Sequence, residues 1–342
     1  MLRKIIFLFV AIYMYIISVL TGLFLFVPII TLKNLNFNIG NVFKNIFYIN
    51  CAFIIKNFLQ VDVFVNSNKL VYNLINEPTQ IILTQNHYTE IDYLFMSWFL
   101  TNLNTFNNLL YYSFITVAKK FVGNIFIGIG FYSLISKDIY LSRNITKDYR
   151  VLSKNNNCNL LYIFPEGTCF NKCTKKKSNL FVKKNKLIKY KYHLYPRTTG
   201  IYTLINTHKK FKTIYDLTVL YDTIPKNIIG QQDYLFTDFI FKYNFPNRVY
   251  INIDKISIDN SSYLQSILEY VFIKKDNFIH NFNIEQNQFQ KMDFNDLLAC
   301  GCFIFINCIS YFSYLILVNS SFIQYLYLGQ ILTYLVYFNF FY

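Results

Sequence analysis

The chain has 342 residues, enough for one or two domains, of which 54% are hydrophobic, 20% aromatic and only 15% charged. An ordinary soluble domain carries roughly 25% charged residues, so this balance excludes a disordered chain and points to one that folds or enters a membrane. A formal charge of +15, from 33 Lys+Arg against 18 Asp+Glu, suits anionic lipid, a phosphorylated cosubstrate or nucleic acid, and does not choose among them.

In chain order, residues 5–32 come first and contain no charged side chain. The stretch exceeds the ~20 residues needed to cross a bilayer and the ~7–15-residue apolar core of a cleaved signal peptide. It is predicted as a retained anchor, spanning or re-entrant. A buried core helix is the other reading, and apolarity on every face speaks against it. Residues 34–295 read as one α/β domain, in which short strand-like runs alternate with longer amphipathic stretches. Strands are predicted at 61–65, 80–84, 131–135, 160–164 and 214–221, and helices at 91–103 and 261–274. The lysine-rich run 172–177 reads as an exposed basic loop.

Residues 297–342 again lack Asp, Glu, Lys and Arg. Two crossings fit, 297–318 and 322–342, joined at Asn319-Ser320-Ser321; one long span with an interfacial tail is the alternative. Lys274, Lys275 and Lys291 flank the base of this hairpin and its tip has no Lys or Arg, so the middle of the chain is expected to face the cytoplasm. Arg3 and Lys4 pull the first segment the other way. The seven cysteines do not read as a disulfide framework at this chain length. Cys300, Cys302 and Cys308 lie in the apolar run as small hydrophobes. Cys169 and Cys173, near His193, lack the usual spacing and a clear fourth ligand for zinc, so no metal is expected.

Two constellations carry chemistry. The β-prone run 80–85 ends at Asn86-His87-Tyr88-Thr89-Glu90-Ile91-Asp92 and passes into an apolar stretch, which reads as strand, turn and helix. His87 then lies in the turn and Asp92 in the first helical turn, where the helix dipole favours a carboxylate. Asp92 reaching back across the turn would fix the imidazole tautomer and leave the other nitrogen to take a proton from a hydroxyl. The bland alternative is an ordinary turn in which Asn86 caps the helix. Further on, a buried strand runs into Phe164-Pro165-Glu166-Gly167-Thr168. Pro165 pre-sets its φ, Gly167 frees the backbone to turn, and the N–H groups of such a turn can hold phosphate oxygens. A plain turn without a role is the alternative.

The pairing, order and spacing of these two motifs resemble the glycerolipid acyltransferase family that includes the 1-acylglycerol-3-phosphate acyltransferases. The segment from Ser178-Asn179 through His193-Leu194-Tyr195-Pro196-Arg197-Thr198-Thr199-Gly200, and the neighbourhood of Asp216-Leu217-Thr218-Val219, are similar to the eukaryotic branch with the lysocardiolipin and lysophosphatidylinositol enzymes. The resemblance implies an α/β fold with a mixed sheet flanked by helices, an N-terminal anchor (1–33), an acyltransferase domain (34–295) and a C-terminal transmembrane hairpin (296–342). By the same resemblance His87 is the general base and Asp92 its partner. Glu166, Gly167 and Thr168, with Arg197, would help bind the acceptor's phosphate, and Lys119, Lys120 and Lys137 fall where the second family block carries basic residues. This sequence departs from the pattern at three places. Lys137 replaces a usual Arg, Cys169 follows Pro-Glu-Gly-Thr where Arg is frequent, and no Pro stands near Val122-Gly123.

The implied reaction moves an acyl group from acyl-CoA, a cosubstrate and not a bound cofactor, to the sn-2 hydroxyl of lysophosphatidic acid. Lysocardiolipin or lysophosphatidylinositol is the alternative acceptor. The resemblance favours an integral protein of the endoplasmic reticulum with its catalytic domain toward the cytoplasm; mitochondrial or plastid-type membranes are the alternatives, and no oligomeric state is implied. A non-catalytic scaffold on the same fold is disfavoured because His87, Asp92 and Glu166 are all present. A channel would need more spans with charges inside them. Nucleic acid is not expected as a partner, since the basic residues are scattered and no recognition motif accompanies them.

Overall fold

The computed structural model describes residues 5, 9, 12, 13, 16, 17, 19, 20, 36–75, 80–90, 92, 95, 96, 114–119, 138–142, 144–153, 160–208, 211–224, 246–258, 263–283, 289–292 and 296–319. Eight strands form one mixed sheet in the order β4-β3-β5-β2-β6-β7-β1-β8. They are β1 (Asp62–Val65), β2 (Gln80–Gln85), β3 (Phe114–Lys119), β4 (Ile139–Leu141), β5 (Leu160–Ile163), β6 (Phe211–Tyr221), β7 (Arg248–Ser257) and β8 (Gln290–Lys291). β4, β3, β5, β2 and β6 run parallel, whereas β7 lies antiparallel to β6 and β8 antiparallel to β1.

The central strands are buried on both faces, as near-continuous apolar runs in a parallel sheet require. Ile81 and Leu83 of β2, and Leu160 and Tyr162 of β5, face a core that includes Ala52 and Ile55 of α1 (Asn36–Asn57). Their alternates, Ile82, Leu161 and Ile163, face a second core with Ile201 and Leu204 of α5 (Thr198–Thr207) and Leu264 and Leu268 of α6 (Leu264–Asn281). Burying each such aliphatic side chain contributes about 1.5–3 kcal/mol, so the alternation fixes which way β2 and β5 face.

The expected strands at 61–65, 80–84, 160–164 and 214–221 correspond to β1, β2, β5 and β6, and the expected helix at 261–274 to α6. The expected strand at 131–135 lies outside the described residues. Of the expected helix at 91–103, residues 92, 95 and 96 are described and are helical.

The lysine-rich run 172–177 is not a loop but the start of α4 (Lys172–Lys184). Asn171 caps it, accepting from the Thr174 N–H while the Thr174 hydroxyl oxygen accepts from the Asn171 N–H, a reciprocal cap that offsets the crowding of lysines. Two shorter helices, α2 (Asn68–Ile75) and α3 (Ile145–Leu152), complete the order before it.

Among the described residues no helix is long and apolar enough to cross a membrane. Most of 1–33 and all of 322–342 lie outside those residues. The first half of the expected hairpin is α7 (Asp296–Asn319). It packs on α1, with the Phe53 and Phe303 rings 4.9 Å apart. Three of its polar residues are occupied within the protein: Asn307 accepts from Tyr13 at 2.7 Å, and the Ser310 and Ser313 hydroxyls donate to Ile306 and Ile309 carbonyls.

Candidate active site

β2 and β5 are adjacent and parallel, with Thr84 opposite Ile163, so the turns that follow them leave the sheet side by side at its carboxyl edge. Ligands of open α/β sheets bind at this edge. β6 is longer than β2 and extends past it, carrying Val219 and Tyr221 beyond the partner of Gln85.

Asn86 does not cap a helix. Its amide donates to the Val219 carbonyl at 2.9 Å and its side-chain oxygen accepts from the Val219 N–H at 2.7 Å, extending the sheet by one side-chain rung. The His87 backbone is held by the neighbouring turn: its N–H donates to Glu166 Oε1 at 3.0 Å and its carbonyl accepts from the Phe170 N–H at 2.7 Å. The chain then folds back tightly, because the Thr89 N–H donates to Asp92 Oδ2 at 3.1 Å.

That fold-back brings Asp92 Oδ2 to 2.9 Å from His87 Nδ1. The other carboxylate oxygen accepts from the Tyr221 hydroxyl at 2.5 Å. Asp92 is 1% exposed and His87 17%, so the carboxylate is sealed and the imidazole is the open end. With Nδ1–H donating to Asp92, Nε2 is the nitrogen available to a reacting group. Burial, then the nearby Asp92 charge, hold the Tyr221 hydroxyl protonated well above its ordinary range, which makes it a steady donor. Burial pulls His87 down, but the Cys169 sulfur and Asp92 outweigh it and raise the ring to about 10.

The Phe164-Pro165-Glu166-Gly167-Thr168 segment turns over His87 from the other side. Gly167 donates its N–H to the Phe164 carbonyl at 2.9 Å and adopts φ +68, where a side chain is disfavoured. A Cβ there would also stand 3.3 Å from Arg197 Cδ. The Phe164 ring stacks on the imidazole with centroids 4.0 Å apart. Glu166, expected as a phosphate contact, is turned inward. Its oxygens accept from the His87 and Leu194 N–H groups, each at 3.0 Å, and the residue is 1% exposed. The carboxylate thereby ties the His87 turn and its own turn to Leu194.

Arg197 is brought to the same turn. Its N–H donates to the Pro165 carbonyl at 2.8 Å, its side chain lies beside Gly167, and it is exposed. Thr168 is partly buried in that turn. Lys119 ends β3, which β5 separates from β2. Lys120 and Lys137 lie outside the described residues. His193 is buried and stacks on Tyr88, and among the described residues no group of three His, Cys, Asp or Glu could hold a metal ion.

Two residues of the site carry no assigned role in the sequence reading. Tyr221 reaches Asp92 from the overhanging end of β6, and Cys169 Sγ lies 3.2 Å from His87 Nε2.

An open imidazole backed by a sealed carboxylate at the carboxyl edge of a parallel sheet defines a proton-transfer site of the kind that activates a nucleophile. The family model for the Acyltransferase domain matches residues 69–222, which span both turns. It is 32% identical over 195 residues to lysophosphatidylinositol acyltransferase 10 of Caenorhabditis elegans, covering 53% of this chain and 46% of that protein. It is 29% identical over 191 residues to lysocardiolipin acyltransferase 1 of Gallus gallus, covering 52% and 46%. The chain thus spans about half the length of the curated relatives it matches. Among solved structures it is similar to the 1-acyl-sn-glycerophosphate (LPA) acyltransferase PlsC of Thermotoga maritima, at 15% identity and a TM-score of 0.48, over 82% of this chain and 96% of that one.

Proposed function

We propose that this chain transfers an acyl group from acyl-CoA to the sn-2 hydroxyl of lysophosphatidic acid, giving phosphatidic acid, with His87 taking the hydroxyl proton. The observation that carries the reading is the 2.9 Å contact between His87 Nδ1 and the buried Asp92 carboxylate, on an imidazole that is itself partly exposed. In the reaction the hydroxyl gives its proton to Nε2 as its oxygen attacks the acyl carbonyl, and Asp92 stabilises the imidazolium that forms. Arg197, exposed beside the Gly167 turn, supplies a guanidinium fork for the acceptor's phosphate.

The enzyme works at a membrane in this reading, because both substrates partition there. The charge-free stretches 5–32 and 297–342 would anchor it, with the catalytic domain facing the cytoplasm at the endoplasmic reticulum. α4 begins just after Cys169, and its lysines offer the face that meets CoA phosphates and anionic lipid. Lys172, Lys175, Lys176, Lys183 and Lys189 border one hollow there, and Leu180 and Phe181 stand exposed beside it. A second acceptor reading, lysophosphatidylinositol or lysocardiolipin, is supported by the names of the relatives above.

The test uses membranes containing the full chain, labelled acyl-CoA and a panel of these three lysolipids. Wild type should acylate lysophosphatidic acid fastest, and His87→Ala should lose about 10²–10⁴-fold in turnover while still folding. Full turnover in His87→Ala would overturn the mechanism, and preference for another lysolipid would replace the acceptor.

A further inference from the structure

We propose that Tyr221 is a positioning residue of this reaction, whose hydroxyl holds the Asp92 carboxylate with one oxygen aimed at His87 Nδ1 while the ring gains its proton. The inference rests on the reading above, in which His87 takes the acceptor's proton directly, and adds a third member to the pair that carries it.

The donors to Asp92 are divided unequally between its two oxygens. Oδ2 meets His87 Nδ1 at 2.9 Å and the Thr89 N–H at 3.1 Å. Oδ1 has one partner among the described residues, the Tyr221 hydroxyl at 2.5 Å. The last torsion of an aspartate is broad, so two contacts on Oδ2 alone leave the group free to swing about that oxygen. A donor on Oδ1 removes the freedom. Asp92 is 1% exposed, so bulk water does not replace a donor that is lost.

Tyr221 can do this because its own place is fixed. It is the last residue of β6 and pairs with Val249 of β7. Its ring lies 5.1 Å from that of Phe95, and its carbonyl accepts from the Ile224 N–H at 3.2 Å. Two positions earlier, Val219 holds the Asn86 side chain through both of its backbone groups. The overhang of β6 thus grips the 86–92 turn at both ends, Asn86 through Val219 and Asp92 through Tyr221.

The hydroxyl is a donor and nothing else at neutral pH. Burial, then the Asp92 charge, keep its proton in place well above the ordinary range of a phenol, so it neither gives nor takes a proton during turnover. Asp92 stays charged while His87 becomes an imidazolium. A donor that never yields its proton keeps the carboxylate in one orientation through both states of the ring.

The experiment uses the full chain in detergent–lipid micelles, labelled acyl-CoA and the best acceptor of the three lysolipids. Tyr221→Phe keeps the ring against Phe95 and removes only the hydroxyl, and turnover is counted per folded molecule. It should lose about tenfold or more in kcat, the scale of one hydrogen bond to a charged group, with KM for the lysolipid unchanged. The His87 Nδ1 proton, followed in histidine-labelled protein by NMR and assigned by its loss in His87→Ala, should move from its wild-type position. In the Asp92→Ala background, where the hydroxyl has no carboxylate to hold, Tyr221→Phe should cost nothing further. Wild-type kcat in Tyr221→Phe overturns the proposal. So does a lowered kcat with an unmoved Nδ1 proton, or an added loss on top of Asp92→Ala, because the hydroxyl would then act elsewhere. A raised KM at unchanged kcat would put Tyr221 against the acceptor instead. These results leave the His87 mechanism standing; full turnover in His87→Ala removes that mechanism and the proposal with it.

Discussion

β2 and β6 build two buried charge constellations, and the contrast between them separates structure from chemistry. Inside the sheet, Thr84 of β2 donates to Asp216 of β6, and Lys275 of α6 reaches Asp216 at 2.9 Å and the Leu217 carbonyl at 2.8 Å. Both side chains of that ion pair are 1% exposed. A few residues on, at the edge of the same strands, Asp92 is equally sealed but its partner His87 is 17% exposed. The first constellation closes on itself. The second ends in a partly exposed imidazole whose Nε2 meets the Cys169 sulfur, and that open end is what makes it a candidate for catalysis.

The closed pair should therefore fail through stability. Burial lifts the Asp216 carboxyl above its usual range against the pull of Lys275, so removing the lysine leaves a buried group with no counter-charge. Lys275→Met should lower unfolding free energy by about 3–5 kcal/mol, and the double variant Asp216→Leu with Lys275→Met should recover most of it. Chemical unfolding in detergent measures both. A Lys275→Met protein as stable as wild type would erase the distinction from the edge site, where His87→Ala is expected to cost chiefly turnover, with the fold still formed.

Glu166 links the two behaviours. Glu166→Gln keeps one acceptor oxygen but sets an amide NH₂ against a backbone N–H, an unmade buried hydrogen bond that costs about 1–3 kcal/mol. Its loss should loosen the turn that grips His87, so turnover falls while the KM for lysophospholipid holds. A rise in KM with unchanged turnover would instead put the carboxylate in contact with the acceptor.

The parts of this site that were legible in the sequence are those that local chemistry decides. The apolar runs 80–84 and 160–164 could only be buried strands, and Pro165 and Gly167 mark a tight turn wherever they stand. His87 and Asp92 are five positions apart, so a turn suffices to join them. Tyr221 and Cys169 depend instead on which strands become neighbours. Their separations from Asp92 and His87 are 129 and 82 residues, and nothing in either residue's local context encodes that adjacency. α4 was hidden for another reason: a lysine run reads as solvated chain until the Asn171–Thr174 cap is recognised.

The smallest expected effect gives the finest test of how the open end is poised. His87 faces the Asp92 carboxylate and the Cys169 sulfur with its ring, and Glu166 with its N–H. Its value in the folded chain is raised from 6.5 to about 10, so its contribution to stability is full below pH 6.5 and is lost as pH rises through 10. After burial, which opposes the rise, the sulfur is its first cause. Cys169→Ala should therefore move the His87 titration, followed by NMR of ¹³C-labelled histidine and assigned with His87→Ala, toward lower pH, and the alkaline loss of stability should move with it. Asp92 remains in that variant and keeps the ring above what burial alone would set. An unmoved titration would mean that the carboxylate alone poises His87, and the open end would then be electrostatically indifferent to the sulfur beside it.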